Sequence, residues 1–229
     1  MKEKNPYPHR LNETKTWVFD LDNTLYPASC DLFSQIDVRM KAFIAEFLGL
    51  EPAEAFRVQK RYFREYGTTL RGLMVRHGME PQDFLDHVHA IDVSCVPPNP
   101  RLSQALDLLP GGKVVFTNAS KAHAQRVMAR LGIERHFDGV FDIKSAGYLP
   151  KPEPGVYQAL VEHFSLEPGR TVMFEDMARN LKPAADLGMT TVWVRTENDW
   201  GRDGADQAYV HHVADDLADW LEGVLGPHE

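Results

Sequence analysis

The stretch Trp17–Tyr26 reads WVFDLDNTLY. Three apolar residues, Trp17, Val18 and Phe19, run straight into Asp20, Leu21, Asp22, Asn23 and Thr24. An apolar run this short, closed by turn formers, fits a strand buried on both faces of a parallel sheet. The acids then fall where the strand ends, and open α/β sheets bind ligands at that carboxyl edge. Asp20 and Asp22 at one sheet mouth repel each other, which calls for a cation. A site rich in carboxylate oxygens suits Mg²⁺. Taken alone, the pair is equally well a strand followed by an Asp/Asn turn.

Outward from this stretch, strand patterns alternate with helical ones. KVVFT (Lys113–Thr117), Val140-Phe141, TVMF (Thr171–Phe174) and TTVWV (Thr190–Val194) read as further buried strands. A helix through Ala124, Val127, Met128 and Leu131 begins at the cap Ser120 and ends at Gly132. Others carry Val156, Tyr157, Leu160, Val161 and Phe164, and then Leu181, Ala184 and Ala185 up to Gly188. Residues 213 to 225 read as one amphipathic stretch through Leu217, Trp220, Leu221 and Val224. The alternation predicts an α/β fold, a parallel sheet with helices on both faces.

Residues 31 to 91 carry no strand pattern. Phe33, Ile36, Met40, Phe43, Ile44 and Phe47 recur at helical spacing up to Gly49. Pro52 opens a second helix with Phe56, Tyr62 and Phe63. A short passage from Gly67 to Gly72 follows, and Pro81 opens a helix with Phe84, Leu85, Val88 and Ile91. This predicts an all-helical insert at 26–98 within a core formed by 15–25 and 99–229. Val96-Pro97-Pro98-Asn99-Pro100 is a stiff linker back to the sheet. A short helix, Leu102–Leu109, leads from it to the Pro110-Gly111-Gly112 turn. Residues 1–14 read as a loosely held tail, because Pro6 and Pro8 discourage regular structure.

The 229 residues suffice for one large domain, or for a core with a smaller companion. A net charge of −8 argues against a nucleic-acid polymer as partner, but not against one small phosphate bound locally. Two cysteines, Cys30 and Cys95, suggest no disulfide framework and fit a reducing cytoplasm. The N-terminal segment lacks an apolar signal core, and no apolar run reaches membrane-spanning length. The subunit count stays open.

Polar groups recur just past strand after strand: Asp20 and Asp22, Thr117 and Asn118, Lys151, then Glu175 and Asp176. In a parallel sheet these loops open on one edge. Singly, each has a plainer reading: strand end, turn former, solvated lysine or acidic helix cap. Independent surface residues have no reason to recur in this order.

The set resembles the haloacid dehalogenase-like superfamily of phosphohydrolases over about residues 17 to 195. DLDNT, TN, KP and FED stand for its four motifs, and the helical insert resembles a C1-type cap. FDLDNTLY, FTNASKAHAQRVMARLGI and YFREYGTTLRGL further resemble the pyrimidine 5′-nucleotidase branch. The resemblance implies a Mg²⁺-dependent phosphomonoesterase acting on a small substrate, with pyrimidine nucleotides preferred. By motif position Asp20 is the nucleophile, and Asp22 is the general acid/base with its backbone carbonyl on Mg²⁺. Asp176 is the side-chain metal ligand, with Glu175 in contact with the ion or just behind it. Thr117 and the Asn118 N–H would hold phosphoryl oxygens, and Lys151 would neutralise the phosphate and orient Asp20. Such roles suit the chemistry. Phosphate monoesters hydrolyse extremely slowly, a carboxylate nucleophile divides the barrier, and cations let two anions meet.

Other positions carry less. Asn180, four residues after Asp176, is a polar neighbour of the metal or a cap. Arg71 is a substrate contact or a surface salt bridge; Tyr62 and Tyr66 read as core. His87 and His89, two apart, cannot form a metal pair on one helix face. His211 and His212 read as solvated. The rival functions are another small-monoester phosphatase, a phosphoglucomutase-like transferase, metal-free dehalogenation, and a non-catalytic binding protein. Asp22 with Glu175-Asp176 argues against the third, because dehalogenation needs neither a leaving-group acid nor a metal.

Overall fold

Both neighbours of the first strand come from far along the chain. In the computed structural model, which describes residues 11–196 and 199–225, β1 spans Thr16–Phe19. It lies between β2 (Gly112–Phe116) and β4 (Thr171–Glu175), with Thr16 in register with Gly112 on one side and Thr171 on the other. With β3 (Gly139–Phe141), β5 (Thr190–Val194) and β6 (His212–Ala214) the sheet order is β3-β2-β1-β4-β5-β6, every pair parallel. The chain reverses its direction of travel across the sheet between β1 and β4, and that crevice is where such sheets bind ligands.

The central strands are rich in apolar residues because both faces of the sheet are covered. Trp17 and Phe19 point into one core and Val18 into the other. The Phe19 ring stacks on Phe174 at 4.6 Å, and the Trp17 indole donates to the Pro110 carbonyl at 2.7 Å. α5 (Pro100–Leu108), α6 (Lys121–Leu131) and α9 (Leu217–Leu225) supply apolar residues to the Trp17 face. α7 (Pro154–Phe164) and α8 (Lys182–Asp186) cover the Val18 face. Ser120 caps α6, accepting from the His123 N–H, and Gly132 closes it at φ 76°.

Between β1 and α5 the chain forms α1 (Leu32–Leu48), α2 (Pro52–Tyr66), α3 (Thr69–His77) and α4 (Pro81–Val88). Proline at the first turn opens α2 and α4, where its missing N–H costs nothing. Among the described residues, no helix is long and apolar enough to cross a membrane.

Three expectations change. The Gly67–Gly72 passage is the start of α3, which Thr68 initiates by accepting from the Arg71 N–H at 3.2 Å. The C-terminal amphipathic stretch begins with β6, an edge strand too short for a period to show. His211 and His212 are half-buried rather than solvated: Thr191 N–H donates to His211 Nδ1 at 3.1 Å, and His212 meets Trp220 edge-on at 5.6 Å. Of the expected tail, residues 1–10 lie outside the described residues, and Leu11–Glu13 form a 3₁₀ turn. The side chain of Val224 is likewise outside them.

Candidate active site

The ends of β1, β2 and β4 converge with the loop after β3. Asp20 N–H donates to the Phe174 carbonyl at 2.9 Å, extending the β1–β4 ladder by one residue. That bond fixes Asp20 at the switch point, beside Glu175. The next turn passes through Asn23 at φ 63°, a conformation asparagine tolerates better than most side chains. It returns Thr24, whose hydroxyl donates to Asp20 Oδ2 at 2.9 Å. At the end of β2, Thr117 is buried and its Oγ1 accepts from the Ala119 N–H at 3.0 Å.

Lys151 arrives from the loop after β3. Asn118 holds its backbone, accepting the Lys151 N–H at 2.8 Å through Oδ1. The buried ammonium then donates to Asp20 Oδ1 at 2.6 Å, Glu175 Oε2 at 2.7 Å and the Phe116 carbonyl at 2.9 Å. All three of its protons are used. Burial disfavours the charge, but the two carboxylates outweigh it and raise the lysine pKa above its ordinary value.

One lysine does not balance three acids. Oxygens of Asp20, Glu175 and Asp176 lie within 4.8 Å of one another, and all three residues are buried. Burial and then Glu175 push the Asp20 carboxyl up to about 7, with Asp22 adding to the shift and Lys151 opposing it. Burial, Glu175 and Asp20 together raise Asp176 well above the carboxylate range. Asp176 Oδ2 is buried and has no hydrogen-bond partner among the described residues. An orphaned carboxylate oxygen facing two further acids is the donor set of a hard divalent cation such as Mg²⁺. Glu175 divides its oxygens: Oε2 takes Lys151 and Oε1 accepts the Met177 N–H at 3.2 Å.

The Asp22 side chain stands apart from this cluster. Its Oδ1 accepts from the Tyr26 hydroxyl at 2.7 Å and from His123 Nε2 at 3.1 Å. Burial works to raise its pKa, but His123 and Tyr26 outweigh burial and the net shift is downward. The His123 ring stacks on His89 at 4.6 Å, and His89 Nδ1 meets the Ser120 hydroxyl at 2.9 Å. His89 ends α4, so the helical block touches the surroundings of Asp22 through this pair. Burial and then His123 depress the His89 pKa to about 3. Neither histidine was expected at the site. The signal available in the sequence was His123 three residues after the helix cap Ser120.

A cavity of about 450 Å³ opens above the acids and runs between the core and the helical block. Asp20, Asp22, Thr117, Asn118, Lys151, Glu175 and Asp176 line one end. The other end is mostly apolar, with Ile36, Met40, Phe63, Leu70, Phe84 and Val88. Gln59 and Lys60, both bonded to Asp37, add polarity there. Gln59 is buried, and its Oε1 has no hydrogen-bond partner among the described residues. Asn180 lines the cavity too. Arg71 does not: it is half-buried on α3, while Thr68, Thr69 and Leu70 beside it reach the cavity. Tyr62 and Tyr66 pack edge to face at 5.6 Å away from it, as core residues do.

Comparison with known proteins agrees with this geometry. Residues 14–188 match the family described as haloacid dehalogenase-like hydrolase. Phosphate metabolism protein 8 of Saccharomyces cerevisiae is 29% identical over 206 residues, covering 82% of this chain and 62% of the yeast protein. The chain thus spans about six-tenths of that relative. Among solved structures, a haloacid dehalogenase-like phosphatase from Thermococcus onnurineus shares the fold at TM-score 0.64 and 18% identity, covering 93% of this chain and 98% of the other. L-2-haloacid dehalogenase from Xanthobacter autotrophicus, with chloropropionic acid covalently bound, shares it at 0.58 and 18%, covering 93% and 99%.

Proposed function

The chain belongs to the haloacid dehalogenase-like hydrolases, and from that premise we propose that it is a cytoplasmic, Mg²⁺-dependent phosphomonoesterase acting on pyrimidine nucleoside 5′-monophosphates. The observation that carries the phosphatase reading is the unpartnered Asp176 oxygen facing Asp20 and Glu175, with a further carboxylate, Asp22, at the same cavity. Displacing halide needs no metal and no acid for the leaving group. Transferring a phosphoryl group from an alkyl monoester calls for both, because the dianion must be neutralised and the alkoxide is a poor leaving group.

Asp20 is the nucleophile. Lys151 and Thr24 each bind one of its oxygens, which orients the carboxylate for attack on phosphorus. Asp22 protonates the leaving oxygen, then takes a proton from the water that attacks the aspartyl-phosphate. Thr117 and the Asn118 N–H hold phosphoryl oxygens, and Lys151 offsets their charge. Asp20, Asp176 and the Asp22 carbonyl would hold Mg²⁺, with Glu175 beside them. When bound, the ion neutralises phosphate charge and the acidic cluster alike.

The helical block, residues 26–98, is the cap over a core of 15–25 and 99–229. It encloses the leaving group and keeps out stray water. The cavity has the volume of a small-ligand site, and its apolar wall with the free Gln59 Oε1 suits a flat base bearing an N–H donor.

The test is phosphate release from UMP, CMP, AMP, phosphoglycolate and glucose phosphates, with Mg²⁺, with EDTA, and with Asp20→Asn. Release from UMP or CMP that needs both Mg²⁺ and Asp20 is expected. Preference for another monoester would overturn the substrate class. Full activity in EDTA or in Asp20→Asn would overturn the mechanism.

A further inference from the structure

The general acid is held by a residue outside the four motifs. Both donors to Asp22, Tyr26 and His123, converge on Oδ1. Oδ1 already accepts the Tyr26 hydroxyl, and with the catalytic proton carried on Oδ2 it stays an acceptor, so His123 donates through Nε2. Its other ring nitrogen, Nδ1, is buried without a hydrogen-bond partner among the described residues. The ring is fully buried, with His89 stacked on it at 4.6 Å and 19°. Its backbone is set by the Ser120 cap. Among the described residues, the one hydrogen bond of this side chain is therefore with Asp22.

We propose that His123 is a positioning residue: with Tyr26 it occupies Oδ1 of Asp22, leaving Oδ2 to give and take the catalytic proton. The inference rests on the phosphomonoesterase reading. In the first step an oxygen of Asp20 bonds to phosphorus and the ester P–O bond breaks. The proton on Asp22 Oδ2 moves to the departing oxygen, which keeps the bonding pair. In the second step water bonds to phosphorus, the bond from Asp20 to phosphorus breaks, and Oδ2 recovers a proton from that water. A carboxyl free to rotate would present the wrong oxygen for part of the time. His123 and Tyr26 remove that freedom.

The experiment compares kcat/KM for two substrates in wild type, His123→Leu, His123→Gln and Tyr26→Phe. One substrate is UMP, or whichever alkyl monoester the panel above ranks first. The other is p-nitrophenyl phosphate, whose leaving group departs without a proton. General acid catalysis supplies roughly 10²–10⁴-fold. In His123→Leu the alkyl substrate is expected to fall about 100-fold with KM little changed. The loss on p-nitrophenyl phosphate should be at least tenfold smaller. His123→Gln, which restores an N–H at similar reach, should recover much of the difference. Tyr26→Phe should show the same selective loss, so the test survives if His123→Leu does not fold. Equal losses on both substrates, or none, would overturn the positioning role alone. A wild type that hydrolyses neither substrate would overturn both readings.

Discussion

The ammonium of Lys151 lies 2.6 Å from Asp20 Oδ1, joining residues 131 positions apart in a site where both are buried. The contact ties the loop after β3 to the end of β1. It also sets Lys151 directly against both Asp20 and Glu175, the one cation among the described residues to pair with both.

Lys151→Met should therefore harm stability and activity together. Removing one partner of a buried ion pair costs about 3–5 kcal/mol, because the remaining charge is left uncompensated. Urea denaturation of the variant should show a loss of that size. Adding Asp20→Asn in the same chain should return a good part of it, since one stranded carboxylate is gone. Additive losses in the double variant would count against the pairing as the source.

Mg²⁺ should stabilise the protein more at pH 8 than at pH 5.5. The metal-free Asp20 carboxyl is raised from 3.8 to about 7. A raised acid contributes stability fully present below its unfolded pKa and lost as pH rises through the folded one. The acidic cluster thus weakens the metal-free fold above neutrality, where a cation relieves it. At a hundredfold excess over Kd the gain is about 2.7 kcal/mol. Thermal melts with and without Mg²⁺ at the two pH values check this, and an equal shift at both would contradict it.

His89 should make the fold acid-sensitive in the opposite sense. Its pKa falls from 6.5 to about 3, mainly through burial and then His123. A depressed base holds its stability above the unfolded pKa and loses it as pH falls towards the folded one. Between pH 6.5 and 3 the wild type should lose on the order of a few kcal/mol that His89→Gln does not, at about 1.4 kcal/mol per pKa unit. Denaturant midpoints across that range supply the comparison; parallel curves would refute it.

Gly72→Ala should loosen the helical block. A Cβ there would sit 2.4 Å from the Tyr62 Cβ, where α2 and α3 touch. Overpacking of this kind costs about 1–3 kcal/mol. Hydrogen exchange should quicken in α2 and α3 while the sheet stays protected. Unchanged exchange in α2 and α3 would mean that the helices part at no cost.

Much of this was legible in the sequence because of how a doubly covered parallel sheet is built. Trp17–Phe19, Val114–Phe116 and Val172–Phe174 are uninterrupted apolar runs within β1, β2 and β4, so each run's end is marked by the first polar residues. Those are the residues that the topology gathers: Asp20, Thr117, Glu175 and Asp176. Lys151 was visible only as part of the ordered set, since nothing local distinguishes it from a loop lysine. His123 reaches Asp22 across 101 positions, and helix periodicity gives its face but not its partner. α3 was obscured by Thr69, Gly72 and Val75, poor helix formers held by a threonine cap and by packing on α2. β6, three residues long, is defined by pairing with β5 rather than by pattern.

The central place of β1 has a consequence for the order in which a nascent chain acquires structure. This strand leaves the ribosome well before its two partners, which begin at Gly112 and Thr171. The helices α1 to α4 emerge in between and pack on one another over short sequence distances. Local contacts form faster than distant ones, because less loop entropy is lost in making them. The helical block should therefore be structured while the strand that ends at Asp20 is still unpaired, and Asp20, Glu175 and Asp176 come together only once β4 has emerged. Pulse-labelled hydrogen exchange during refolding should find α1 and α2 protected before β1. The reverse order would show that the sheet nucleates first.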